Sequence, residues 1–206
     1  RTDMPKTAPL HPLAHQTADD FRKGALSRRE FLSRATALGL SAATAAGLVG
    51  LPHVARAQTA ISQGGTLRIQ QNVKALKDPR SYDWSELANQ TRGFLEYLVE
   101  YNSDGSFRGM LLESWEINED ATSYRLNLRK GVRWNNGDAF TSQDVAGNIT
   151  RWCDTAFPGN SMSSRLVGLI DKASGQLRDD ALTIEDDHTV VLTLSAPDVT
   201  LIANMS

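Results

Sequence analysis

Between Trp115 and Thr141 short runs of alternating apolar and polar residues are separated by turn signals, and this alternation restricts the stretch to a succession of short strands. Trp115 and Ile117 face one way before the turn Asn118-Glu119-Asp120, and Tyr124, Leu126 and Leu128 face one way on the following run. Lys130-Gly131 and Asn136-Gly137 bracket Val132-Arg133-Trp134, which predicts a meander of hairpins whose glycines supply left-handed backbone. Thr141-Ser142-Gln143-Asp144 has the form of a capping box, and Val145, Ile149 and Trp152 continue it as one helix face. Residues 181–184 and 189–194 read as two strands joined around Asp186-Asp187.

Upstream, Leu67 and Ile69 alternate with polar residues after Gly64-Gly65, a strand pattern. Beyond Pro79, Asp83 and Glu86 form a candidate N-cap and its partner. Leu87, Phe94, Leu95 and Leu98 then line one face of a predicted helix that ends near Val99, where Asn102-Ser103-Asp104-Gly105 signals a turn. The body is therefore mixed α/β, without internal repeats.

Charge divides the chain. Residues 1–57 hold 8 Lys/Arg against 4 Asp/Glu and the remainder 14 against 20, so the body is acidic, at −6. An acidic surface repels phosphate backbones, which argues against nucleic acid as a partner. Cys153 is the only cysteine, so neither an intramolecular disulfide nor a cysteine metal cluster is available, and its neighbours suit a packed thiol. The acids Asp179, Asp180, Glu185, Asp186 and Asp187 lack the spacing of a calcium loop and read as a solvated turn, and no metal or cofactor site is expected. His11, His15 and His53 lie far from His188 in sequence and form no ligand cluster, and Gly64-Gly65 lacks the Gly-Lys-Ser/Thr of a phosphate loop.

The N-terminal part has the order of an export signal: Ser27-Arg28-Arg29-Glu30-Phe31-Leu32, an uncharged stretch over residues 35–51, then Ala55-Arg56-Ala57 as a small-x-small cleavage site. Arg28, Arg29, Phe31 and Leu32 resemble the twin-arginine export motif, with Ser33 where that motif often has lysine. The apolar stretch is rich in Ala and Gly and shorter than the ~20 residues that span a bilayer, so a cleaved signal fits better than an anchor. Cleavage after Ala57 is expected; Arg1 is no initiator, and Met4 is the candidate start. The structural alternative is a short amphipathic or buried helix.

Gly64-Gly65-Thr66-Leu67-Arg68, Leu95-Glu96-Tyr97-Leu98-Val99-Glu100-Tyr101 and Glu113-Ser114-Trp115 come in an order that resembles the bacterial extracellular solute-binding proteins of family 5. The stretch from Tyr124 to Trp134, then Asn136-Gly137-Asp138-Ala139-Phe140-Thr141 and Asp144-Val145, is similar to that family's most recognisable blocks. Gly109-Met110 departs from it where proline is usual, and Asn135 where histidine is common.

The resemblance implies a two-lobed periplasmic binding protein of type II with an extra domain, of which this chain is the N-terminal part. Residues 1–57 would be leader and signal peptide, 58–84 the first strand of lobe one, and 85–206 the extra α+β domain with the start of a return to lobe one. It also implies a function: an ABC importer's receptor, which captures a peptide or similar small solute in the periplasm and delivers it to membrane permease subunits by hinge closure. No catalytic residue is implied. Asn72, Tyr82, Trp84 and Arg165 are the candidate ligand contacts, aromatics for stacking and an arginine for a carboxylate, against a structural reading in which Tyr82 and Trp84 staple a helix start and Arg165 is solvated. The block from Tyr124 to Asp144 is read as structural. The alternatives are a twin-arginine-exported cofactor enzyme, a signalling receptor, and a binding protein for a nickel chelate, opine, haem or sugar.

Overall fold

The computed structural model describes residues 10–52, 64–66, 68–72, 74–75, 77–83 and 85–206. Its centre is a four-stranded antiparallel sheet built from β3 (Leu112–Ile117), β4 (Ser123–Leu128), β5 (Leu182–Asp186) and β6 (Thr189–Thr193) in the order β3-β4-β6-β5. The alternation read from sequence sets the faces: Tyr124, Leu126 and Leu128 are buried along β4, and Val190 and Leu192 join them from β6. Removing each such side chain from water contributes about 1.5–3 kcal/mol.

Asn118 closes the β3–β4 turn by accepting the backbone N–H groups of Thr122 and Ser123 at 2.9 and 2.8 Å on its side-chain oxygen. The expected second hairpin is smaller than the pattern suggested. Arg133 and Ala139 form a single bridge around Asn136-Gly137, where Gly137 sits at φ +94°.

Helix α5 (Ser142–Trp152) begins at Thr141, whose backbone N–H donates to the Asp144 carboxylate at 2.8 Å. It lays Val145 and Ile149 on β5 and β6. Cys153 ends the helix fully buried. A short helix α6 (Leu201–Asn204) packs near the hairpin β1 (Val99–Tyr101) and β2 (Phe107–Gly109), which pair antiparallel.

Two expectations fail here. Helix α4 (Ser85–Thr91) stops seven residues short of Leu98, leaving Phe94 70% and Leu95 41% exposed. The Leu98 carbonyl is instead engaged by the backbone N–H groups of Met110 and Leu112, at 3.1 Å each, so long-range pairing overrides the helical periodicity. Upstream, residues 68–72 form no strand and Ile69 is 73% exposed, because among the described residues no neighbouring strand offers a ladder. Leu67 lies outside the described residues.

The N-terminal part folds as three helices, α1 (Pro12–Arg22), α2 (Arg28–Ala37) and α3 (Ala42–Leu48). Ser27 and Glu30 close a reciprocal capping box at the start of α2, with Ser27 N–H to the Glu30 carboxylate at 2.7 Å and Glu30 N–H to the Ser27 hydroxyl at 3.3 Å. Gly39 ends α2 at φ +91°, and the Leu40 N–H reaches back to the Ala35 carbonyl at 3.2 Å. The apolar stretch is thereby broken in two, and among the described residues no helix is long and apolar enough to cross a membrane.

Candidate functional site

Two of the candidate ligand contacts, Tyr82 and Arg165, sit beside stretches that the fold ties together. The first runs from residue 77 to residue 83. Asp78 caps a single 3-10 turn, Pro79–Ser81, by accepting the Arg80 backbone N–H at 3.0 Å, with Pro79 pre-set for the first helical position. Tyr82 follows directly and is half-buried. The second stretch is the loop that leads to another 3-10 turn, Ser163–Arg165. Ser161 ties the two together: its backbone N–H and hydroxyl both donate to the Arg80 carbonyl, at 2.8 and 3.1 Å.

Asp78 is the hub of this junction. Its carboxylate receives Arg80 Nε at 2.9 Å and Nη2 at 3.0 Å, and Arg151 Nη2 from α5 at 2.9 Å. The Arg80 guanidinium donates onward to the Arg151 carbonyl at 3.1 Å and lies over the Phe157 ring, 3.7 Å from its centre. The Arg80 side chain hydrogen-bonded to Asp78 holds that carboxyl well below the usual carboxylate range, against the opposing pull of desolvation. Sequence reading passed over these residues. The signal was there in Asp78-Pro79, a capping residue followed by proline, but nothing local connects it to Arg151, 73 residues away.

Of the candidates themselves, Asn72 is exposed and lines a shallow groove with Gln70, Gln71, Glu86 and Asn89. Arg165 is exposed, and its carbonyl accepts the Asn204 side-chain amide at 3.0 Å. Trp84 lies outside the described residues, as do Ala55 and Ala57 of the expected cleavage site.

The export-motif residues are placed in α2. Arg28 and Arg29 are exposed, whereas Phe31 is 0% and Leu32 3% exposed. They pack with Ala14, Ala18, Ala35, Leu38, Leu40 and Ala45 into a small core of the three helices.

Cys153 is fully buried, and desolvation pushes its thiol up to about 12, so it carries no nucleophile at neutral pH. The acids near residue 180 hold structural contacts: Asp180 accepts Arg178 Nε at 2.9 Å, and Asp186 accepts the His188 backbone N–H at 2.7 Å.

The family model of bacterial extracellular solute-binding proteins, family 5 Middle, matches residues 106–206. Among curated proteins, the chain is 24% identical over 172 residues to the probable peptide ABC transporter periplasmic-binding protein y4tO of Sinorhizobium fredii, covering 84% of this chain and 29% of that protein. It is 30% identical over 169 residues to the periplasmic oligopeptide-binding protein OppA of Escherichia coli, covering 78% and 31%. To the glutathione-binding protein GsiB of Pectobacterium atrosepticum it is 26% identical over 170 residues, covering 81% and 29%. The chain thus spans about a third or less of the length of these relatives.

Proposed function

We propose that the chain is part of a family 5 bacterial extracellular solute-binding protein, the solute receptor of an ABC importer, because that family's model matches residues 106–206. The protein captures a peptide or similar small solute in the periplasm and hands it to permease subunits in the membrane. The supporting observation is the family match across the β-sheet body, together with relatives named for binding peptides and oligopeptides. Glutathione, in the name of a third relative, is itself a small peptide. Such a receptor works by population shift: the solute stabilises the closed form because only there is it touched from both sides, so binding requires no covalent step. Transport rather than catalysis is therefore the reading.

Within this reading the junction held by Asp78, Arg80 and Arg151 serves as the rigid base from which Tyr82 and Arg165 address the solute, with Asn72 and Trp84 as further contacts. An arginine suits the solute's carboxylate and a tyrosine its apolar or peptide face. Residues 1–57 act as leader, with Arg28 and Arg29 read by the twin-arginine machinery and cleavage after Ala57. Domain limits follow the same scheme, with 58–84 as the first segment of lobe one and 85–206 as the extra domain with the start of a return to lobe one.

The test is mass spectrometry of the small molecule released on denaturing the full-length mature protein purified from its periplasm. A peptide mixture is the expected result. A haem, nickel chelate or sugar would replace the solute class, and a bound redox cofactor would overturn the receptor reading. Export is tested separately: the Arg28→Lys, Arg29→Lys double variant is expected to stay inside the cell, and normal export would remove the leader assignment.

A further inference from the structure

We propose that the β2–β3 face of the body is a docking surface for the chain's own leader helices, and that docking withholds the Arg28-Arg29 motif from export machinery until α2 swings away. The inference rests on the leader reading given above and adds a control to it.

Four directional contacts tie leader to body. Thr36, 0% exposed, accepts the backbone N–H of Phe107 at 2.9 Å on its hydroxyl and donates the hydroxyl proton to the Leu32 carbonyl at 2.7 Å. Phe107 belongs to β2, whose other side pairs with β1, so the leader satisfies a donor on a strand edge that would otherwise stand open. Trp115 on β3 donates its indole N–H to the Ala37 carbonyl at 3.2 Å, and the His11 imidazole lies 3.0 Å from the Asn118 carbonyl. Arg29 donates to the Ser103 carbonyl at 2.9 Å and lies across Gly105, where a Cβ would come within 2.6 Å of its Cγ.

These contacts are specific rather than a generic apolar collapse. Each uses a backbone or side-chain polar group placed by the β1–β2 or β3–β4 hairpin, so the surface exists only once the body has folded. Charge favours the same association, since a basic leader meets an acidic body. Ile117 packs against the helical core from the body side, and Ala37 belongs to the body's own core.

Docking has a consequence for recognition. With the Arg29 side chain bonded to the Ser103 carbonyl and laid across Gly105, a receptor can engage the arginine pair fully only in the undocked fraction of molecules, and its apparent affinity falls by that fraction.

The experiment uses the uncleaved chain purified from the cytoplasm, with hydrogen–deuterium exchange on residues 28–37 and pulse-chase measurement of leader processing in cells. Thr36→Val keeps the shape of the side chain and removes the acceptor for Phe107; Trp115→Phe removes the donor to Ala37 from the body side. Neither touches the motif. In the unaltered chain the α2 amides are expected to be protected; each variant should lower that protection roughly five- to tenfold, the factor carried by one hydrogen bond, and speed processing. Exchange at the rate of a free peptide in the unaltered chain would overturn docking. Loss of protection in the variants with unchanged or slower processing would overturn withholding. Normal processing of the Arg28→Lys, Arg29→Lys chain would instead bring down the leader reading, and with it the export role, while docking remained measurable by exchange.

Discussion

The carboxylate of Asp78 grips the guanidinium of Arg80 with both oxygens, Nε to Oδ1 at 2.9 Å and Nη2 to Oδ2 at 3.0 Å, and Arg151 shares the second oxygen. Asp78→Asn keeps the side chain's size while deleting the charge and the bidentate fork, leaving a nearly buried guanidinium without its counter-charge. The expected loss is about 1–3 kcal/mol, read as a lower urea midpoint with an unchanged slope. Arg80→Lys should recover only part of the function of Arg80, because an ammonium neither forks onto both oxygens nor lies flat on Phe157. A variant as stable as the parent would show that the junction is decorative.

Acid should expose the same pair. The folded carboxyl of Asp78 sits below its unfolded value of about 3.9, so its contribution is fully present above that value and is lost as pH falls through the lower, folded one. Denaturant titrations at descending pH should therefore find the gap between the parent and Asp78→Asn constant near neutrality and shrinking below about pH 4. A gap that stays unchanged down to about pH 2 would trace the stabilisation to packing rather than charge.

Gly109 stands where the backbone of the next strand passes very close. A Cβ built there would stand 2.2 Å from the Leu112 carbonyl oxygen and 3.3 Å from that of Glu113, both backbone atoms that cannot turn aside. Gly109→Ala is expected to cost about 1–3 kcal/mol by prising β2 from the start of β3, measured by thermal or urea unfolding. An alanine variant with an unshifted transition would mean that the chain path between the two strands relaxes freely.

Cys153 should behave as a core residue. A thiol reagent at about pH 8 is expected to label it only as fast as the body opens, with full labelling on addition of denaturant. Rapid labelling of the native protein would contradict its burial at the end of α5.

In the core, Leu126 and Leu192 are fully buried on neighbouring strands. Leu126→Ala should cost about 2–5 kcal/mol in urea unfolding. A cost below about 1 kcal/mol would mean that the sheet face collapses readily around the gap.

What could be read from the sequence were features whose causes lie within a few residues. The alternation of Tyr124, Leu126 and Leu128, the turn at Asn118, the glycine at 137 and the box from Thr141 to Asp144 all recur in the structure where the residues placed them. Ser27 and Glu30 carried a second capping box of the same form, hidden behind the more arresting arginine pair between them. The candidate ligand contacts were legible only as residue types: Tyr82 and Arg165 are set on tied stretches, while Asn72 lines a groove with neighbours that periodicity could not name.

By itself, then, the sequence determined the strand faces of the sheet, its turns and the start of α5, because period, capping and turn chemistry act over short spans. Tertiary structure alone decided where α4 stops, which carboxylate anchors Arg80, and that Thr36 meets Phe107. Those outcomes rest on partners about 70 residues apart for Arg151 with Asp78 and for Thr36 with Phe107. The physical reason is that a backbone donor or a buried guanidinium is satisfied by whatever group the folded chain brings to it, and no local pattern specifies that group in advance.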